Sequence, residues 1–239
     1  MNNKKTELKV YRRLLKYPPF VPWRQGNDPM TIIHHLKRQI RITITAPEPV
    51  TVSDAEKLYS SIYCSDNIKD GEETVNFITK ISKIHKLTNC NNDGYIVSAL
   101  ERITKLTIKY EDKKKKIIVF HIIDKVEFDP ATGILSIRMP KDTYYAFRDR
   151  ALTINLKNFI NLKPGAKNLY GFFISNSGKK FREDLLIERA VITAARKDNV
   201  QVILKRSLVE LKNNYIIKSF EITKKSGQRY INIGKIEHK

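Results

Sequence analysis

Hydrophobic positions follow two different periods along this chain, and the change between them is sharpest near residues 199–236. Val200, Leu204, Leu208 and Leu211 recur at helical spacing and form one apolar stripe. Lys205, Arg206 and Asn213 point the other way. Asn213 and Asn214 end this helix. The period then drops to two. Tyr215 to Ile222 and Tyr230 to Ile236 alternate as strands, and Lys224, Lys225, Ser226 and Gly227 between them supply a basic turn.

The same succession is expected upstream. Gln39 to Thr45 alternates as a strand, with Ile40, Ile42 and Ile44 on one face. Ser53 is expected to cap a helix, with Glu56 completing a capping box and Ala55, Leu58, Tyr59 and Ile62 facing inward. A second helix is expected over 72–86 through Val75, Ile78, Ile81 and Ile84. A third starts near Asn92 and presents Ile96, Ala99, Leu100 and Ile103. Strands follow at 106–111, 117–128 and 133–139. Asp112 with Lys113 to Lys116 turns one hairpin, and Asp129, Pro130, Thr132 and Gly133 turn the next. Beyond them, helices are expected at Leu156 to Ser175 and Phe181 to Ile192. Three helices and a hairpin therefore occur twice, with a boundary near 148–153.

A helix bearing outward cations beside a basic hairpin is the pattern of a winged helix. In that element the helix enters a DNA major groove and the hairpin lies on flanking phosphates. The expected class is thus α+β, two tandem winged-helix domains at 30–149 and 150–239. A basic arm, residues 1–29, precedes them. Lys4, Lys5, Lys9, Arg12, Arg13 and Lys16 suit a short basic helix, which Pro18, Pro19 and Pro22 stop.

Charge sharpens this picture. The 239 residues carry a net charge of +20. Residues 1–45 hold 10 Lys/Arg against 2 Asp/Glu, residues 46–149 hold 16 against 16, and residues 150–239 hold 19 against 7. A neutral middle between basic ends points to a polyanion partner. Arg206 is the expected guanine-reading fork, with Lys205 beside it and Gln201 placed for adenine. Arg196, Lys197, Lys224, Lys225 and Arg229 are expected on phosphates. In the first domain Ser98, Arg102 and Lys105 are expected to face outward from the third helix, with Glu101 among them. Lys113, Lys114, Lys115 and Lys116 form its wing tip.

Other chemistry is poorly represented. Cys64 and Cys90 are too few for a disulfide framework or a zinc site, so a reducing cytoplasm is expected. No apolar run approaches the length of ~20 residues needed to span a membrane, and no membrane partner is expected. The adjacent pair His34 and His35 falls on opposite faces of a strand, which does not suit a metal-dependent nickase. Gly178, Lys179 and Lys180 do not make a phosphate loop, because Phe173 occupies the upstream glycine position and Lys180 replaces the Ser/Thr. No catalytic residue, metal or cofactor is expected.

From about residue 50 onward the chain resembles the plasmid-type replication initiators (Rep proteins) built of two winged-helix domains. The resemblance is carried by Ser98 to Ile103, Thr107 to Tyr110 and Ile122 to Asp129 in the first module. At the junction it rests on Leu152 to Leu156, Leu162 to Pro164 and Ala166 to Tyr170. In the second module it rests on Leu208 to Leu211 and Ile216 to Ile222. Residues before 30 depart from that family's pattern, and the segment 64–91 is longer and more polar. The resemblance implies a non-enzymatic initiator that binds repeated sites in double-stranded origin DNA. It further implies opening of the duplex and recruitment of host replication initiator and helicase-loading proteins in a bacterial cytoplasm. It also implies a homodimer formed through the first domain. The alternatives are a winged-helix transcriptional regulator and a rolling-circle endonuclease.

Overall fold

The computed structural model describes the chain apart from residues 1–6, 17, 23–25, 27, 37–39, 112–116, 150, 177, 193–196 and 235–239. The fold is of mixed α+β class. It divides into a central unit, residues 23–151, and a terminal unit that joins residues 1–22 to residues 152–239.

The terminal unit opens with β1 (Glu7–Tyr11) and α1 (Arg12–Lys16). After the central unit come β10 (Ala151–Asn155), α6 (Leu156–Asn161) and α7 (Pro164–Ile174). They are followed by β11 (Lys180–Arg182), α8 (Glu183–Ala190), α9 (Lys197–Asn213), β12 (Phe220–Lys225) and β13 (Gln228–Ile233). β1 pairs with β10, and the other three strands form a sheet in the order β11-β13-β12.

The sequence pattern assigns residues 1–29 to an arm preceding both domains, and residues 1–22 of it fall in the terminal unit. Their described part is instead built into the core of the terminal unit. Val10, Leu15 and Phe20 are buried. Arg12 donates to the Ser175 carbonyl at the end of α7 at 3.1 Å. The buried Asn168 amide donates to Phe20 O at 2.9 Å and to Ala190 O at 3.1 Å. Gly171 lets α1 lie against α7, since a Cβ there would stand 3.1 Å from Leu15 Cδ2 and 3.3 Å from Leu15 O.

In the central unit β2 (Met30–Leu36) and β3 (Ile40–Ala46) pair with β6 (Thr107–Glu111) and β7 (Ile117–His121), in the order β2-β3-β6-β7. A second sheet has the order β4-β5-β9-β8, from β4 (Asn67–Asp70), β5 (Thr74–Lys80), β8 (Lys125–Asp129) and β9 (Ile134–Pro140). The helices are α2 (Val52–Tyr63), α3 (Ile81–Thr88), α4 (Asp93–Thr104) and α5 (Lys141–Asp149). Leu58, Ile84, Ile96, Leu100, Ile103, Leu135 and Ile137 lie in its core.

Several expected elements take another form. The helix over 72–86 is β5 followed by α3. Val75, Phe77 and Thr79 alternate inward, and the β-branched Thr74, Val75, Ile78 and Thr79 suit a strand paired on both sides. The expected strand 117–128 breaks into two, because the fully buried Ile122 and Ile123 carry the chain from one sheet to the other. The long helix 156–175 splits before Pro164, where Lys163 is extended (ψ 157), as the residue before a proline prefers. Phe181 lies in β11, not at a helix start. The cap of α2 is Thr51 with Asp54, two residues earlier than Ser53 with Glu56. The hairpin turn at Asp112 and Lys113 to Lys116 lies outside the described residues.

A common topology underlies both units. α7, β11, α8, α9, β12 and β13 follow one another with sheet order β11-β13-β12. α2, β5, α3, α4, β8 and β9 appear in the same order, with sheet order β5-β9-β8. The central unit adds β4 outside β5. It also inserts the β6–β7 hairpin between α4 and β8.

Arg102 shows how far packing overrides a helical-wheel reading. The wheel places it on the outer face of α4. In the fold it is only 9% exposed and reaches back to α2, where Asp54 accepts from its Nη2 at 2.6 Å and its Nε at 3.3 Å. Arg102→Ala would leave a buried carboxylate without its cation. The unfolding free energy, measured by urea titration, should fall by about 3–5 kcal/mol. A loss below about 1 kcal/mol would show that the pair is not holding α2 to α4.

Candidate nucleic-acid interface

α9 and the β12–β13 hairpin carry all the contact residues expected of the second domain except Arg196. α9 forms where it should because Leu204, Leu208 and Leu211 are fully buried along one stripe. Its end is a Schellman motif. Tyr215 adopts a left-handed φ of 57°, Ile216 N–H donates to Leu211 O at 2.9 Å, and Tyr215 N–H donates to Lys212 O at 3.0 Å. The buried Ile216 closes the motif from below.

The hairpin turns on two residues of positive φ, Ser226 (50°) and Gly227 (77°), which is the type I′ pattern that matches strand twist. The register places Lys225 opposite Gln228 and Lys224 opposite Arg229. Lys224 and Lys225 are exposed near the tip.

Lys205 and Arg206 project from the outer face of α9. Among the described residues, the side chains of these two and of Lys224 and Lys225 take part in no hydrogen bond or ion pair. Four cations are therefore left to solvent on α9 and the hairpin that follows it.

Two other expected contacts are already engaged. Arg229 donates to Gln201 Oε1 at 2.8 Å and pairs with Glu183 at 3.1 Å, and Gln201 Nε2 donates to Glu183 at 3.4 Å. Glu183 is buried in the first turn of α8, where a carboxylate also complements the helix dipole. Gln201 and Arg229 thus tie α9 and β13 to α8 instead of standing free for bases and phosphates. Sequence spacing does not reveal this, because Glu183 lies 18 residues from Gln201. Lys197 opens α9, and Arg196 lies outside the described residues.

Further positive charge surrounds this face. Lys180 sits over the Tyr230 ring at 4.8 Å on neighbouring strands. Arg182 is held by Asp184, and that hydrogen bond lowers the Asp184 carboxyl below its ordinary range. The terminal unit has 24 Lys/Arg against 8 Asp/Glu, or +16, whereas the central unit has 21 against 17, or +4.

In the central unit the corresponding helix, α4, offers less. Arg102 is spent on Asp54. Lys105 is exposed but pairs with Glu48 at 3.4 Å, and Ser98 and Glu101 share the outer face. Lys113, Lys114, Lys115 and Lys116 lie outside the described residues. His34 is buried in β2 while His35 faces out, as strand alternation requires. Burial pushes the Cys64 thiol up to about 11, which keeps it a poor nucleophile near neutral pH. Among the described residues no helix is long and apolar enough to cross a membrane.

No family model matches the chain, and neither does any curated protein sequence.

The engaged and free cations should respond differently to truncation. Arg229→Ala should cost about 1 kcal/mol of folding stability, because it breaks a partly exposed network. Lys225→Ala should change stability by less than about 0.5 kcal/mol. Thermal melting of the two variants makes the comparison, and an equal effect would contradict the division drawn here.

Proposed function

We propose that the chain is a replication initiator that binds double-stranded origin DNA through tandem winged helices. The carrying observation is the face formed by α9 and the β12–β13 hairpin. There Lys205 and Arg206 stand on the helix and Lys224 and Lys225 on the hairpin, all exposed. The topology repeated in both units supports the reading of each as a winged helix. The charge of +16 on the terminal unit supports the assignment of most of the DNA affinity to it. In this reading α9 lies in the major groove, Arg206 forks onto guanine O6/N7, and the hairpin lysines rest on phosphates.

The resemblance to Rep proteins adds a biological role. In that role the chain binds repeated sites, opens adjacent duplex and recruits host initiator and helicase-loading proteins in a bacterial cytoplasm. Footprinting on DNA flanking the gene, combined with permanganate probing of the neighbouring A·T-rich segment, tests it. An initiator protects repeats and exposes thymines beside them. A transcriptional regulator of the same geometry protects a site and leaves the duplex closed.

Binding should weaken steeply with salt. Contact with roughly 6–10 phosphates gives a slope of log affinity against log salt of about −5 to −9. A slope near zero between 50 and 200 mM would remove the electrostatic basis of the proposal. Arg206→Ala should lose about 1–3 kcal/mol on the preferred site and little on random duplex, whereas Lys225→Ala should weaken both alike.

Self-association belongs to the central unit in this reading. β7 is the edge of its sheet and exposes Ile117, Ile118 and Val119 at 52%, 44% and 54%. An edge with unpaired backbone groups and apolar side chains is suited to pair with a second copy. The low charge of this unit opposes such pairing less than the +16 of the other would. Ile118→Lys in the full chain should shift sedimentation from dimer to monomer without lowering the melting temperature. A variant that still sediments with the wild-type protein would place the dimer contact elsewhere. A fragment beginning at residue 150 is not the right test, since it would strip β1 and α1 from the terminal core.

A further inference from the structure

The outer face of α9 is not only basic. Val202 and Val209 are exposed to 44% and 40%, while Leu204, Leu208 and Leu211 on the same helix are at 1% or less. Their spacing places both valines on the face of Lys205 and Arg206, as the first and last members of an i, i+3, i+4, i+7 stripe. Core packing does not require these two side chains. Helix stability does not favour them either, because β-branched residues are poorer helix formers than Ala, Leu or Lys. Single exposed apolar residues are ordinary. Two that bracket the unpartnered cations of a reading helix form a pattern in register with those cations.

Duplex DNA presents one kind of apolar group in its major groove, the C5-methyl of thymine. Cytosine instead presents an N4 donor that loses its water when an aliphatic side chain covers it. Seven residues of helix span about 10 Å at about 1.5 Å per residue. That distance covers about three base steps at about 3.4 Å each. We propose that Val202 and Val209 are specificity-determining contacts to the methyl groups of two thymines, flanking the base pairs addressed by Lys205 and Arg206. This rests on the reading that α9 enters the major groove, and it adds thymine to the composition of the preferred site.

The probe is a duplex enriched from a random-sequence pool with the full chain. Each thymine in it is then replaced, one at a time, by deoxyuridine, which keeps base pairing and removes only the methyl. Two positions should weaken by about fourfold each, the value of one buried methyl-sized group. Val202→Ala should abolish the response at one of them and Val209→Ala at the other. Unchanged melting of the variants excludes loss of fold, and Ala at an exposed helix position favours the helix. Binding that is indifferent to every deoxyuridine overturns this inference and leaves duplex recognition standing. The same holds if both valine variants respond as the wild type does. Failure to enrich any duplex sinks the DNA-binding reading and the thymine contacts with it.

Discussion

The arrangement of the terminal unit depends on one carboxylate. Glu183 opens α8 and is met there by Arg229 from β13, at 3.1 Å, and by Gln201 from α9, at 3.4 Å. Arg229 and Gln201 also bond to each other at 2.8 Å. The network fixes a helix and a hairpin in one relation, which an apolar core alone defines only by distance. Charge-assisted hydrogen bonds define it by direction as well as distance. Glu183 is nearly covered, but Arg229 and Gln201 are partly exposed, so solvent moderates the cost of losing either of those partners. The side chains that fix the frame are thereby distinct from the exposed cations of α9 and the hairpin.

The two units use one topology with different electrostatics. In the terminal unit the outer face of α9 keeps its cations and the inner network consumes Arg229. In the central unit the cation nearest the equivalent face, Arg102, turns inward to Asp54, and Lys105 is shared with Glu48. The central unit also carries an inserted hairpin whose outer strand, β7, leaves apolar side chains uncovered. The same scaffold thus presents a basic face in one unit and an edge strand with exposed apolar side chains in the other.

The elements legible in the sequence are those whose pattern is local. α4 and α9 obey the helical period along a full inner face, and both occur where expected. The hairpin turns at Pro130 to Gly133 and Ser226-Gly227 follow from residues that tolerate the required backbone angles. The misreadings arise where two periods fit. Val75, Ile78, Ile81 and Ile84 satisfy helical spacing, yet the first half of that segment is a central strand. Neighbouring strands β4 and β9, 4 and 54 residues away in sequence at the nearest, decide the matter.

At the candidate interface the same division applies. Net charge, its concentration toward the ends, and the exposure of Lys205, Arg206, Lys224 and Lys225 follow from composition and period alone. Which cations remain free does not. Arg102 and Arg229 look like Lys205 and Lys225 on a helical wheel or a strand diagram. They differ because Asp54 and Glu183 are brought to them by folding, across 48 and 46 residues of chain. The incorporation of residues 7–22 into the terminal core was likewise invisible, since their partners lie more than a hundred residues onward. Local periodicity determined which residues form helices and hairpins. Tertiary contact decided which charges are neutralised, because a side chain's partner is set by proximity in space and not along the chain.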